Sequence, residues 1–156
     1  MDTPAFGFTA DEIDTGAPTR AARLKWVIVV DGGLPAGRIA NATACVGAAM
    51  GAAVSGLLGP DAVDAEGSSH PGLPWIGCTV LAGDQTQLTT IRSRAASSDG
   101  VLVADMPAHA QLTRVYDEYL QEVSHRAPDD LGYLAVALVG PRGRVDRIVG
   151  RLPLLT

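Results

Sequence analysis

The sequence predicts a single α/β domain with a central mixed, mostly parallel sheet and helices on both faces. Three observations predict it. Short apolar runs rich in β-branched residues recur along the chain, the segments between them have helical periodicity, and Gly, Pro or Asp stands at most boundaries. Strands that alternate with helices are typical of a layered α/β domain. A length of 156 residues fits one such domain.

The first half of the chain contains a leader, a strand and a helix. Residues 1–22 lack periodicity, so we expect a leader, loosely ordered or strapped on the surface of a domain that spans 23–156. The run 24–30 predicts a strand buried on both faces, because four adjacent apolar residues are typical of a central strand. A helix is predicted over 37–58, and Gly59-Pro60 is expected to end it.

The second half repeats this alternation. We predict, in order, a loop over 61–74 that can include a short strand, a strand over 75–81, a helix over 84–97, a strand over 101–104, a long helix over 108–125 and a last central strand over 133–139. The apolar stripe of the long helix consists of Leu112, Val115, Tyr116, Tyr119, Leu120 and Val123. The two strands 24–30 and 101–105 are expected to be neighbours or near neighbours that run in the same direction.

The composition excludes several classes of protein. Hydrophobic residues make up 47% and charged residues 19%, which excludes wholesale disorder. The net charge of −5 argues against bulk nucleic acid as a partner, although a local basic patch is compatible with it. No apolar stretch approaches the ~18–20 residues of a membrane span, and the N-terminus is acidic where a signal peptide is basic. We therefore expect a soluble cytoplasmic protein without a membrane partner.

The common catalytic motifs are absent from the sequence. It has no GxSxG, GxxxxGK, GxGxxG or HExxH, and its three histidines lie in separate segments without metal-ligand spacing. We therefore expect no metal and no cofactor. Cys45 lies near the apolar stripe of the first helix, so we expect a small core residue, with a nucleophile as the alternative.

Two carboxylates follow predicted strands. Asp31 follows the first strand and Asp105 the third, and ligands of open α/β sheets bind beyond the carboxyl ends of parallel strands. We expect both side chains at the same edge of the sheet. The alternatives are that Asp31 only forms the turn before Gly32-Gly33 and that Asp105 caps the following helix.

Further polar candidates lie on the first helix and in the loop that follows it. Arg38 and Asn41 are three residues apart and therefore lie on one helix face. An Asn among Ala, Gly and Val is costly to bury unless it is hydrogen-bonded, which favours a role in a site. His70 lies in the loop Ser68-Ser69-His70-Pro71-Gly72. A solvated Arg38 and an ordinary loop histidine are the alternatives.

Three stretches resemble a known family. KWVIVVDGGLPAGRIANATACVGAAMG resembles the first strand and Ala-rich helix of the second-type peptidyl-tRNA hydrolases, and YLAVALVGPRGRVDRIVGRLPLL is similar to their last strand, Gly-Pro turn and Asp-x-x-x-Gly-x-Leu-x-Leu end. ADMPAHAQ looks like their Asp-Ala-Gly-x-Thr-Gln segment, with Asp105 and Gln111 near the matching positions. LPAGRIAN and HPG are closer still to the bacterial proteins called domain of unknown function 2000, which share that fold. The resemblance covers about residues 23–155.

The sequence departs from the hydrolases at their polar positions. Arg38 stands where they have an active-site Lys, Ala42 and Cys45 stand where they have Gln and His, and Gly132-Tyr133 replaces Gly-Thr. A guanidinium keeps the positive charge but cannot give up its proton. The resemblance therefore implies the fold, and we expect peptidyl-tRNA cleavage to stay at background.

These observations lead to one functional hypothesis and two alternatives. The first is a cofactor-independent, hydrolase-like enzyme acting on a small acyl, amide or ester-like substrate at the strand-end cleft. Its catalytic residues are Asp105 as general base or water orienter, Arg38 as anion clamp and Asn41 as hydrogen-bond donor. Its expected substrate-binding residues are Asp31, His70, Gln111 and Tyr133.

The first alternative is a non-catalytic module that binds a metabolite or a protein, and the second is a true peptidyl-tRNA hydrolase. A small molecule is the expected partner, and a homodimer is left open. An enzyme requires Asp105, Arg38 and Asn41 to converge within a few Å of one concave site, whereas side chains that point apart favour the binding module.

Overall fold

A computed structural model describes residues 5–156, and its secondary structure alternates between strands and helices. The strands are β1 (Leu24–Asp31), β2 (Ala62–Val63), β3 (Ser69–His70), β4 (Thr79–Gly83), β5 (Leu102–Pro107) and β6 (Tyr133–Pro141). The helices are α1 (Ala36–Ala53), α2 (Gln85–Ala96), α3 (His109–Leu112), α4 (Tyr116–Ser124) and α5 (Arg142–Val149). The expected α/β class is therefore confirmed.

The central sheet is open and mixed, in the order β4–β1–β6–β5. Strands β1 and β4 are parallel, whereas β6 is antiparallel to both of its neighbours, β1 and β5. The sheet is mixed as predicted, but the expectation that it is mostly parallel is wrong, because one of its three strand pairings within residues 5–156 is parallel and two are antiparallel. Strands β1 and β5 run in the same direction with β6 between them, which confirms that they are near neighbours.

The antiparallel direction of β6 follows from the connection that precedes it. The long helix predicted over 108–125 is divided into α3 and α4, and the chain is extended at Thr113 and Val115. The hydroxyl of Thr113 donates to the carbonyl of His109 at 2.9 Å. Parallel strands need a crossover along the length of the sheet. Because two short helices do not make that crossover, β6 begins at the end of the sheet where β5 stops.

The core lies on both faces of the sheet, since side chains of β1 alternate between two clusters. Trp26, Ile28 and Val30 face α1, whereas Val27 and Val29 face α2 and α5. Helix α1 contributes Ala42, Val46 and Met50, α2 contributes Leu88, Ile91 and Ala95, and α5 contributes Val145, Ile148 and Val149. No helix of residues 5–156 is long and apolar enough to cross a membrane.

Helix α1 ends five residues earlier than predicted because the segment before β1 packs against its end. The backbone N–H of Phe8 donates to the carbonyl of Ser55 at 2.9 Å, and the N–H of Ser55 donates to the carbonyl of Phe6 at 2.8 Å. Phe8 itself is buried. Residues 5–22 therefore lie against the domain, and the first four residues of the expected leader lie outside the described residues.

The strands predicted over 75–81 and 101–104 have different bounds in the structure, where they are β4 and β5. Strand β4 begins at Thr79 instead of Trp75, because the chain turns at Gly77, where φ is +72°, and the Trp75 indole donates to the carbonyl of Gly56 at 2.8 Å. Strand β5 continues to Pro107, so Asp105 lies inside a strand. The alternative that Asp105 caps a helix is therefore wrong.

Candidate functional site

The two strand-associated carboxylates lie on the same face of the sheet but on different strands. Asp105 pairs with Val136 of β6, which in turn pairs with Val29, two residues before Asp31. Two strand spacings separate β1 from β5, so the two backbones are roughly 10 Å apart. Both side chains are on the face covered by α2, and each is bonded by a different residue of that helix.

Asp31 is bonded on both carboxylate oxygens. Its Oδ1 accepts from the backbone N–H of Gly33 at 2.9 Å, which is the turn-forming arrangement. Its Oδ2 accepts from Nε2 of Gln85 at 2.8 Å, and the same nitrogen donates to the carbonyl of Tyr133 at 2.7 Å. Asp31 therefore ties the turn after β1 to the start of α2 and to β6.

Asp105 forms an ion pair with Arg92 of α2. The distance from Arg92 Nε to Asp105 Oδ2 is 3.1 Å, and the two side chains are 29% and 20% exposed. The guanidinium also lies 5.8 Å from the ring centroid of Tyr133. The second oxygen of Asp105, Oδ1, has no hydrogen-bond partner within residues 5–156.

Tyr133 is a core residue in this structure. Its side chain is fully buried and packs with the α2 and α5 cluster, and its hydroxyl donates to the carbonyl of Pro128 at 2.7 Å. Burial raises the pKa of this phenol above its ordinary value. A ligand has no access to the ring, so the expectation that Tyr133 binds substrate is not supported by its position.

Arg38, Asn41 and Gln111 come together on α1 and α3, and α1 packs on the face of the sheet opposite α2. Nε of Arg38 donates to Oε1 of Gln111 at 2.7 Å, and Nε2 of Gln111 donates to the carbonyl of Arg38 and to Oδ1 of Asn41, both at 3.0 Å. These bonds tie α3 to the first turns of α1. We call the three residues the amide latch. They line a shallow concavity of about 450 Å³ together with Gly37, Ala110 and Leu112.

The three expected catalytic residues are thus divided between two sites. Arg38 and Asn41 belong to the amide latch, whereas the carboxylate of Asp105 is held by Arg92 on the face covered by α2. No hydrogen bond among the described residues joins the two groups.

His70 is distant in the fold from both groups. It lies on the hairpin of β2 and β3, where its Nε2 is 3.2 Å from Oδ2 of Asp64. Its side chain is 61% exposed. The hairpin contributes no residue to the amide latch or to the cavity described next.

A cavity of about 590 Å³ lies beyond the free edge of β5, between α1 and the α3–α4 segment. We call it the edge cavity. Most of its wall is apolar, and its polar residues are Cys45, Asp105, Thr113, Arg114, Tyr116 and Tyr119. The residues that line it are Cys45, Val46, Ala48, Ala49, Asp105, Met106, Ala110, Thr113, Arg114, Val115, Tyr116 and Tyr119.

Cys45 is exposed at this cavity, so the expectation of a core residue is wrong. The buried positions of α1 are Ala42, Val46 and Met50, which repeat at steps of four. Cys45 precedes Val46 and is therefore turned by about 100° away from the core-facing line. The stripe predicted from 108–125 is likewise largely exposed, with Leu112 at 68% and Tyr116 at 73%.

Arg114, Tyr116 and Tyr119 of the α3–α4 segment are among the residues that line the edge cavity. The rings of Tyr116 and Tyr119 are 5.5 Å apart between centroids and tilted by 56°. Burial, together with the negative charge of Asp105, raises the pKa of the Tyr119 phenol above its ordinary value. Arg114 is exposed and has no hydrogen bond or ion pair with any described residue.

Sequence reasoning missed Gln85, Arg92 and Arg114 as partners of these sites. A signal existed for the first two, because Gln85 and Arg92 are seven residues apart and flank the apolar stripe of α2. A polar residue beside a buried stripe is a candidate partner for a strand carboxylate. Arg114 carried no such signal, since its place depends on the break between α3 and α4. Within residues 5–156, no three His, Cys, Asp or Glu side chains cluster as metal ligands do.

Comparisons with known proteins identify the family. The family described as protein of unknown function DUF2000 matches residues 24–156, so the chain belongs to it, as the sequence resemblance indicated. A solved structure of a protein of unknown function from Agrobacterium tumefaciens strain C58 is similar, with a TM-score of 0.80 and 23% identity over 86% of this chain and 98% of that one. This likeness shows the shared fold. No curated protein matches the chain.

Proposed function

We propose that this DUF2000 protein binds a small amphipathic molecule in the edge cavity. The observation that carries the proposal is the cavity itself. Its volume of about 590 Å³ lies within the range of roughly 300–1,000 Å³ that is typical of small-molecule sites. Its apolar wall with a few polar groups at defined places is also typical of such sites.

The polar groups indicate the chemistry of the ligand. The tyrosine pair offers a surface for a flat apolar or aromatic body. The free oxygen of Asp105 accepts a hydrogen bond from a hydroxyl or amine. The guanidinium of Arg114, a lining residue that has no ion-pair partner among the described residues, fits a carboxylate, sulfonate or phosphate on the ligand.

Binding is favoured over catalysis because the expected catalytic residues already bond one another or other protein groups. Arg38 and Asn41 are both bonded to Gln111, and neither lines the edge cavity. Together they fasten α3, which forms part of the cavity wall through Ala110. In this proposal the amide latch positions that wall and does not touch the ligand.

A dye-binding experiment with paired variants tests the proposal. Anilinonaphthalene sulfonate has an aromatic body and one anionic group, which matches the expected ligand. Ala49→Phe would fill the cavity, and Ala52→Phe is the matched control, because both alanines are exposed on α1 and only Ala49 lines the cavity. We expect saturable one-to-one binding that falls at least about tenfold in Ala49→Phe alone. Equal binding by both variants would contradict the proposal.

Hydrolysis of a small ester or amide is the second candidate. One observation favours it: Asp105 lines the cavity, and its Oδ1, which has no hydrogen-bond partner among the described residues, could orient a water molecule. The test is turnover of a chromogenic aryl ester by the wild-type protein and by Asp105→Asn. Turnover above background that Asp105→Asn abolishes would establish the enzyme, whereas turnover equal in both proteins would reject it.

We further propose that the fold is that of the second-type peptidyl-tRNA hydrolases without their activity, in a cytoplasmic protein. The sequence resemblance over about residues 23–155 supports the fold, and Arg38 in place of the hydrolases' active-site Lys, together with the net charge of −5, supports the absence of their activity. Peptidyl-tRNA should remain uncleaved at micromolar protein. Robust turnover of that substrate would overturn the proposal.

A further inference from the structure

A second surface, on the face of the sheet opposite α1, concentrates positive charge. Helices α2 and α5 pack side by side there, and two adjoining concavities lie between them. The first has a volume of about 480 Å³ and is lined by Arg94, Arg144 and Arg147. The second, of about 360 Å³, is lined by Arg94 and Arg151. We call these four residues the arginine cleft.

The arginine cleft has no carboxylate partner within the described residues. None of its four guanidinium groups lies within ion-pair distance of an Asp or Glu of residues 5–156. Arg144 and Arg147 donate only to backbone carbonyls, those of Asp99 and Gly143. The carboxylate of Asp146 on α5 is paired instead with Lys25 at 2.6 Å.

Such a concentration is unexpected for a chain of this charge. Acidic residues outnumber basic ones by 17 to 12, yet four of the 12 basic residues share one cleft without a neutralising partner. Like charges placed together repel each other, so the unliganded cleft is electrostatically unfavourable. A bound anion of more than one charge would remove that repulsion.

We propose that the arginine cleft binds a small anion carrying two or more phosphate groups. Guanidinium groups match phosphate oxygens with paired N–H donors, and several arginines can neutralise several charges at once. A monocarboxylate needs only one of them. The site is independent of the edge cavity, which lies beside α1.

The size and surroundings of the cleft favour a small ligand over a nucleic-acid backbone. The two concavities together suit a compact anion. A nucleic acid requires an extended basic surface that releases many counterions, and the remainder of the chain is strongly acidic. The phosphate chemistry is common to both ligands, so the experiment must include each.

Inorganic tripolyphosphate is the probe for this site. Calorimetry at low ionic strength should show saturable binding to the full chain, weakened by added salt. Arg94→Gln and Arg147→Gln should each reduce the affinity for tripolyphosphate by up to about fivefold. The triple variant, which combines these two substitutions with Arg144→Gln, should reduce it by about a hundredfold. Arg20→Gln is the matched control, since Arg20 is exposed and outside the cleft, and its affinity should equal that of the wild type.

Three results would overturn the inference. The first is no saturable binding of tripolyphosphate to the wild-type protein. The second is binding that the triple variant retains while circular dichroism shows both proteins folded. The third is binding of a single-stranded RNA oligomer that is tighter than that of tripolyphosphate and is lost in the triple variant, which would replace the small ligand with a nucleic acid.

Discussion

The ion pair between Arg92 and Asp105 allows a quantitative test of how the α2 face is held together. Its atoms are 3.1 Å apart, and the side chains are 29% and 20% exposed. At an effective dielectric constant of about 20, the Coulomb attraction between the two charges is about 5 kcal/mol. The cost of removing both charged groups from water offsets most of this attraction. Because the pair is neither fully exposed nor fully buried, we expect a coupling free energy of about 1.5 kcal/mol.

A double-mutant cycle measures this coupling. Urea unfolding is followed for the wild type, Asp105→Ala, Arg92→Ala and the double variant, and the coupling is the non-additive part of the unfolding free energies. Arg92→Ala should cost about 2 kcal/mol, since it also removes the contact of the guanidinium with the Tyr133 ring at 5.8 Å.

The Glu122–Arg126 pair supplies the control cycle. It is an i,i+4 pair in which Glu122 lies in the last turn of α4 and Arg126 follows the helix, with side chains 45% and 34% exposed, so its coupling should be below about 0.5 kcal/mol. A coupling between Arg92 and Asp105 as small as that of the control would refute the reasoning. It would mean that this ion pair contributes little to the stability of the fold.

Three further predictions concern other parts of the chain. Gln111→Ala removes the hydrogen bonds of the amide latch, so it should lower the free energy of unfolding by about 1 kcal/mol and speed amide hydrogen exchange in α3. Unchanged hydrogen exchange in α3 would contradict that role of the latch. The hydrogen bonds from Arg23 lower the pKa of Glu12 from 4.5 to about 2. The wild type should therefore be more stable to unfolding than Glu12→Gln above pH 4.5, and this difference should decrease as the pH falls and vanish near pH 2. An NMR titration in which the Glu12 carboxyl has an ordinary midpoint would refute the prediction. Cys78 is an exposed residue, but desolvation of its sulfur raises the pKa of the thiol to about 12. Because the thiolate is the reactive form, iodoacetamide at pH 8 should modify Cys45 before Cys78, which peptide mass spectrometry measures. Faster labelling of Cys78 would contradict this prediction.

Local patterns in the sequence correctly predicted the elements that depend on neighbours along the chain. The run before Asp31 forms a strand buried on both faces as predicted, and the helix predicted over 84–97 forms and buries Leu88, Ile91 and Ala95 on one face. The helix starts at Gln85, directly after Asp84, whose side chain accepts from the N–H of Gln87. These features are determined within one or two turns or strands, so periodicity and capping residues suffice to predict them.

Tertiary contacts decided the features that the sequence patterns missed. Helix α1 stops at Ala53 because the segment containing Phe6 and Phe8 pairs with Ser55, some fifty residues away in the chain. The orientation of β6 depends on a break at Thr113 that apolar periodicity does not reveal. A stripe at helical spacing predicts a helix face, but only packing determines whether that face is covered.

The candidate sites show the same division between sequence and tertiary structure. The sequence by itself marked Arg38, Asn41, Gln111 and Asp105 as polar groups with a role, and it determined the net charge of −5. Only the tertiary structure decided that the first three bond one another while Asp105 pairs with Arg92. It also decided that arginines scattered over two helices share one cleft. The physical reason is that side-chain partners and local charge depend on distances in space, which a linear sequence and a summed charge do not specify.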